Sequence, residues 1–153
     1  MMQIEADDLS RAPVRQLIAE HLTDMFATSP AESVHALDLE ALRKPDVTFW
    51  TAWDGSTLLG CGALKELTPL HGELKTMRTS RAARGRGVGS RMLAHLLEQA
   101  AARGYEQVWL ETGPQPYFAA ARRLYARHGF VECGPFGGYV EDPHSVFMTR
   151  PCP

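Results

Sequence analysis

The apolar positions of this chain change period several times, and each change predicts an element. Gln3 to Ala6 reads as a short strand, followed by a polar turn, Asp7 to Ala12, in which Ser10 is placed to cap a helix. Val14, Leu17, Ile18, Leu22 and Met25 recur at helical spacing from Pro13 onwards and form one apolar stripe, which Ser29-Pro30 ends. A short helix is expected at Leu37 to Leu42. The β-branched and aromatic run Val47 to Trp53 predicts a strand, and Asp54-Gly55 signals a hairpin into a returning strand, Thr57 to Glu66. Pro69 to Gly72 reads as a second turn, into a strand from Glu73 to Thr79. Leu93, Leu96, Leu97 and Ala100 then mark the buried face of a helix from Ser90 to Arg103, which Gly104 stops. A strand at Gln107 to Thr112 and a helix at Tyr117 to His128, ended by Gly129, follow. Strands at Phe130 to Cys133 and Ser145 to Thr149, separated by a long loop, complete the order. Strand, loop, helix and strand between residues 73 and 112 form a βαβ unit, so those two strands should be parallel within an α/β domain with a mixed sheet.

The loop inside that unit, Arg84-Gly85-Arg86-Gly87-Val88-Gly89-Ser90, carries the clearest chemistry. A glycine-rich turn that opens a helix leaves backbone N–H groups unpaired at the positive end of the helix dipole, which is a site for phosphate. Arg78, Arg81, Arg84, Arg86 and Arg91 add charge around it with a geometry suited to bidentate phosphate contacts. No Gly-Lys-Ser/Thr follows the last glycine, so this is not a nucleotide-triphosphate loop, and the glycine spacing is wrong for a dinucleotide fingerprint.

Composition narrows the setting. The 153 residues predict a single domain, residues 1–153, large enough for a real core. A net charge of -2 gives no global attraction to nucleic acid or to an acidic membrane, so the arginine cluster is a local feature. Nucleic acid is further disfavoured because the basic residues fall on one loop and not along a face with interleaved aromatics. Cys61, Cys133 and Cys152 have neither metal nor disulfide spacing, which points to a reducing, cytoplasmic setting with no metal. No signal peptide and no apolar run of membrane-spanning length is present, so no membrane partner is expected.

Two marks and the order of elements together resemble one family. Arg84-x-x-Gly87-x-Gly89 is similar to the acyl-CoA loop of the Gcn5-related N-acetyltransferase (GNAT) superfamily, and Leu124-Tyr125-x-x-x-Gly129-Phe130 is similar to that family's L-Y-x-x-x-G-F. The tail, with Phe136, Tyr139, Asp142, His144 and Phe147, resembles the bacterial YsnE-like subgroup. The resemblance implies a mostly antiparallel sheet of about seven strands with flanking helices and a splayed central parallel pair. It also implies transfer of an acetyl group from acetyl-CoA to an amine of unknown identity (small amine, amino acid, protein lysine or N-terminus), and a homodimer through the C-terminal strands. A non-catalytic acyl-CoA sensor is the alternative.

Residue roles follow from the same resemblance. Backbone amides from Arg84 through Gly85, Arg86, Gly87, Val88 and Gly89 to Ser90 would bind the pyrophosphate, and the strand positions of Met77 and Thr79 would pair with the pantetheine arm. Tyr125 is the expected general acid; without the resemblance it reads as a core tyrosine spaced helically from Phe118 and Ala121. Glu73 is the expected base, with Glu111 its rival and Glu66 third. His35, Asp38, Trp50, Glu111 and Tyr139 are candidate walls of the acceptor pocket. Phe118 stands where many members carry an asparagine that touches the cofactor.

Overall fold

The computed structural model describes residues 1–152; the last residue of the expected domain lies outside the described residues. Its strands are β1 (Gln3–Ala6), β2 (Val47–Asp54), β3 (Thr57–Thr68), β4 (His71–Thr79), β5 (Gln107–Thr112), β6 (Val131–Cys133) and β7 (Val146–Pro151). They form one sheet in the order β1-β2-β3-β4-β5-β7-β6. Every neighbouring pair is antiparallel except β4–β5, which is parallel as the crossover requires. The helices are α1 (Ala12–Thr28), α2 (Leu39–Leu42), α3 (Val88–Ala102) and α4 (Ala119–Arg127). Among the described residues, no helix is long and apolar enough to cross a membrane.

Alternation along the strands divides the apolar residues between two cores. On one face Trp50, Ala52, Leu64, Leu74, Val108 and Leu110 pack against α3 and α4. On the other, Phe49, Trp53, Cys61 and Ala63 meet the stripe of α1, with Val14, Leu17 and Ile18 buried as their spacing predicts.

Several boundaries differ from the sequence expectation, each for a local reason. Ser10 does not cap α1; its hydroxyl donates to Asp8 at 2.6 Å, and Arg11 takes the N-cap position ahead of a proline in the first turn. The second hairpin turns at Pro69-Leu70, and Gly72 is a strand residue. Gly72 is needed for close approach: a Cβ there would lie 2.7 Å from the ring of Tyr105. α3 begins at Val88, because Gly87 in the left-handed region (φ 77°) closes the turn and its carbonyl accepts the first helical bond, from Arg91 N–H at 3.1 Å.

Gly72 sits in the short stretch where β4 and β5 pair, opposite Val108. The Tyr105 ring is 2 % exposed and its hydroxyl is held by Glu66 at 2.9 Å, so it has nowhere to retreat. Gly72→Ala is therefore expected to destabilise the fold by about 1–3 kcal/mol, read as a lower urea midpoint. A wild-type midpoint would show that the two strands do not depend on this contact.

Candidate active site

The parallel pair stays together for only three residue pairs, His71–Gln107, Gly72–Val108 and Glu73–Trp109. Beyond Glu73 the strands diverge, while β4 keeps to β3 and β5 keeps to β7 along its length. The break coincides with a bulge in β4. Thr76 adopts φ 54°, a rare conformation for a β-branched residue, and the register with β3 slips between Cys61 and Ala63. The bulge changes which side chains face which core. Glu73 and Lys75 point towards α1; Met77 touches α3's side at Gly62; Arg78 returns to the α1 side and reaches Asp24. The gap between the diverging strands opens into a cleft of about 510 Å³ that runs through the sheet from the Gly85–Ser90 loop to the α1 side.

The loop wall is built as its sequence suggests. Gly85 (φ 78°) and Gly87 (φ 77°) both take left-handed geometry, and nothing lies within 4 Å of a Cβ at either, so their backbone is open to a ligand. Val88, Gly89 and Ser90 form the first turn of α3, where N–H groups have no helical acceptor. Arg84, Gly85, Gly87, Val88, Gly89 and Ser90 all line the cleft, as do Met77 and Thr79. Ser90 is also tied to α4. His128 Nδ1 lies 3.0 Å from the Leu124 carbonyl and so carries the proton, leaving Nε2 to accept from the Ser90 hydroxyl at 3.3 Å. Arg86 does not line the cleft; it is exposed and lies 4.0 Å from Asp54.

Tyr125 stands on α4 where the cleft passes through the sheet, 7 % exposed and edge-on to Phe130 at 5.9 Å. Burial pushes its phenol up to about 12, and the charge of nearby Glu111 adds to the rise. Phe118 also lines the cleft, at the N-terminal end of the same helix.

Across the gap, the two expected carboxylates have different surroundings. Glu73 is 2 % exposed and fully engaged: Oε2 accepts from Tyr139 OH at 2.5 Å and from Lys75 Nζ at 3.3 Å. Lys75 also donates to the His35 carbonyl at 3.0 Å and to Tyr139 OH at 2.8 Å, and His35 meets the Tyr139 ring edge-on. This knot joins β4, the segment before α2 and the loop after β6. Glu111 has a freer place at the end of β5. Burial pushes its carboxyl up to about 7, with the nearby Ser145 hydroxyl and the Lys75 charge opposing the rise and the charges of Glu73 and Asp142 adding to it. Glu66 lies away from the cleft, bonded to Tyr105.

The acceptor-side candidates separate in the same way. His35 and Glu111 line the cleft, and Tyr139 braces it through Glu73 and Lys75. Asp38 does not reach it; it is the N-cap of α2 and accepts from Ala41 N–H at 2.8 Å. Trp50 is not there either. It is buried on the α3 side, edge-on to His95 at 5.3 Å. The sequence reading passed over His21, Asp24 and Tyr117, and it grouped Arg78 with the phosphate-loop arginines. Arg78 is instead bonded to Asp24 at 2.7 Å and to Tyr117 OH at 3.2 Å on the α1 side. The available signal for His21 was its place among Ile18, Leu22 and Met25 on a buried helical stripe. Among the described residues, no group of three or more His, Cys, Asp or Glu is placed to hold a metal ion.

Comparison with known proteins shows the family. The profile of the Acetyltransferase (GNAT) family matches residues 14–130. YsnE of Bacillus subtilis, an uncharacterized N-acetyltransferase, is 53% identical over 97% of this chain and 99% of its own length. A solved structure from Klebsiella pneumoniae, described as an acyl-CoA N-acyltransferase, superposes with a TM-score of 0.80 at 28% identity, over 99% of this chain and 98% of that one. The fold is shared at 15% identity with an aminoglycoside 6'-N-acetyltransferase complexed with coenzyme A, with a TM-score of 0.71 over 98% and 97% of the two chains.

The raised carboxyl of Glu111 has a thermodynamic consequence. Below the ordinary carboxylate value of 4.5 both folded and unfolded chains carry it protonated, so it adds nothing; above about 7 both carry it ionised, and the folded state bears the full cost of burying the charge. Glu111→Gln is thus expected to raise the melting temperature at pH 8 and to leave it nearly unchanged near pH 4. The gain should be on the order of 3 kcal/mol at most. Equal effects at both pH values would contradict a half-buried Glu111 with a raised carboxyl.

Proposed function

The chain belongs to the Acetyltransferase (GNAT) family, and from that premise we propose that it transfers the acetyl group of acetyl-CoA to a primary amine by direct attack in a ternary complex. The observation that carries this reading is the gap between β4 and β5, with a glycine-rich helix N-terminus at one end and the half-buried carboxyl of Glu111 at the other.

On this reading the amides of the Arg84–Ser90 loop bind the pyrophosphate, with the arginine side chains outside it. The pantetheine arm lies in the gap and pairs with the free edge of β4 beside Met77 and Thr79, as an added strand would. That edge also supplies an N–H to the oxyanion of the tetrahedral intermediate. The amine nitrogen attacks the thioester carbon; the C–N bond forms, the C–S bond breaks, and the nitrogen's proton goes to Glu111. Glu111 suits this task better than Glu73, whose Oε2 is occupied by Lys75 and Tyr139. Glu73 is then a positioning residue that holds the wall of the cleft. Tyr125, at about 12, stays protonated at neutral pH. Facing a thiolate whose conjugate acid is near ~8.5, it stabilises the sulfur by donating a hydrogen bond more readily than by giving up the proton. A titrating carboxyl and a buried phenol on the same cleft favour a transferase over a non-catalytic acyl-CoA sensor.

The direct test is release of free thiol from acetyl-CoA against amines, amino acids and lysine peptides, with acetyl-CoA binding measured alongside. Release with one class of acceptor is expected; binding without release from any would sink the transferase reading. Gly87→Glu places a like charge on the phosphate site and a side chain at φ 77°. It should weaken acetyl-CoA binding by roughly 100-fold or more in calorimetry, and unchanged affinity would remove the loop from the cofactor site. The pH profile tests the base. With Glu73 and Lys75 facing Glu111 from β4, Asp142 from the loop and Tyr125 from α4, kcat/KM should rise through an inflection near pH 7. Glu111→Gln should abolish that inflection, and a profile that keeps it would assign the base elsewhere.

A further inference from the structure

The α1 side of the cleft is closed by bonds between segments far apart in the chain. Ser33 donates to Asp142 at 2.6 Å, joining the segment before α2 to the loop after β6. Gln115 donates to the Thr28 carbonyl and to Ser29 Oγ, both at 3.2 Å, joining the end of α1 to the turn before α4. Tyr117 OH donates to Asp24 at 3.3 Å across the same boundary. Together these bonds bound a chamber on the α1 side of the cleft.

Within it stands a guanidinium that is only partly engaged. The Arg78 side chain is 4% exposed, and it lines the cleft. Nη2 donates to Asp24 and Nη1 to Tyr117, while Nε, fully buried, has no partner. A buried donor without a partner is costly, and it is retained where a ligand supplies the acceptor. The Asp24 carboxylate does not neutralise the group, because Arg81 shares it at 3.3 Å to both oxygens, leaving two guanidiniums against one carboxylate. His21 lies beside Arg78 and also lines the cleft, 8% exposed, with Nδ1 unpartnered. Burial and the Arg78 charge push His21 down to about 4, so it is a neutral imidazole able to donate a hydrogen bond.

We propose that the acceptor is a small amino-carboxylate, its carboxylate bound by Arg78 with His21 and its amine presented to Glu111. A carboxylate matches the free Nε edge of a guanidinium, and one bound there satisfies both orphaned nitrogens. The inference rests on the transferase reading above and adds the class of acceptor to it.

The test compares each of a set of α-amino acids with its carboxamide and its decarboxylated amine, in the thiol-release assay with full-length protein. For the preferred side chain, kcat/KM for the acid should exceed that for the amide by roughly 100-fold or more, because the amide leaves the buried guanidinium and imidazole unpaired. Arg78→Lys keeps the charge beside Asp24 and removes the planar fork. It should raise KM for the acid and collapse the acid-to-amide ratio while leaving acetyl-CoA affinity unchanged. Should that variant fail to fold, the wild-type ratio decides alone. Release with uncharged amines or lysine peptides but not with acids would overturn the carboxylate site and leave the transferase standing. No release from any compound, with acetyl-CoA bound, would overturn both.

Discussion

The structure turns on the separation of β4 from β5 after Glu73. Two neighbouring parallel strands in the middle of a sheet ordinarily pair along their length, because each unpaired N–H or C=O in the interior costs free energy comparable to a lost hydrogen bond. Here the pairing stops after three residue pairs, and the backbone of both strands is left facing a cleft. That arrangement is stable because each strand is held on its other side: β4 by the long antiparallel β3, and β5 by six residue pairs to β7. The open edges thus present hydrogen-bonding groups that are already aligned.

The bulge at Thr76 sets the division of labour. A strand alternates faces strictly, so Glu73, Lys75, Met77 and Thr79 would share one side in a regular β4. The positive φ of Thr76 inserts one step, placing Met77 on the α3 side and Arg78 on the α1 side with Lys75 and Glu73. The phosphate loop and Tyr125 belong to the α3–α4 layer, whereas Glu73, Lys75, Arg78 and His21 belong to the α1 layer. On the proposed function the sheet thus separates the cofactor end from the acceptor end, and the gap between β4 and β5 is where they would meet.

Much of this was legible in the residue pattern. The helical stripe from Val14 to Met25, the hairpin at Asp54-Gly55 and the βαβ unit around Arg84–Ser90 gave the element order and the parallel pair, since each rests on local periodicity or turn chemistry. The loop was legible because its glycines have a backbone purpose. What local pattern does not carry is a change of face within a strand: nothing in Lys75-Thr76-Met77-Arg78 announces a bulge, so Arg78 read as a loop arginine. Trp50 and Asp38 were misplaced for a related reason, because a residue's type does not say which side of the sheet it takes or whether its carboxylate is needed by the next helix. That the Glu73 carboxylate is engaged depends on Tyr139, which is 66 residues away in the chain.

On the proposed function, the gap between β4 and β5 is the cofactor's slot. Amide hydrogen exchange, measured residue by residue with and without acetyl-CoA, tests it most directly. Protection gained at Lys75–Thr79 of β4, at Leu110–Thr112 of β5 and across the Arg84–Ser90 loop is the predicted result. Unchanged exchange at the two strand edges, with protection appearing elsewhere, would contradict it.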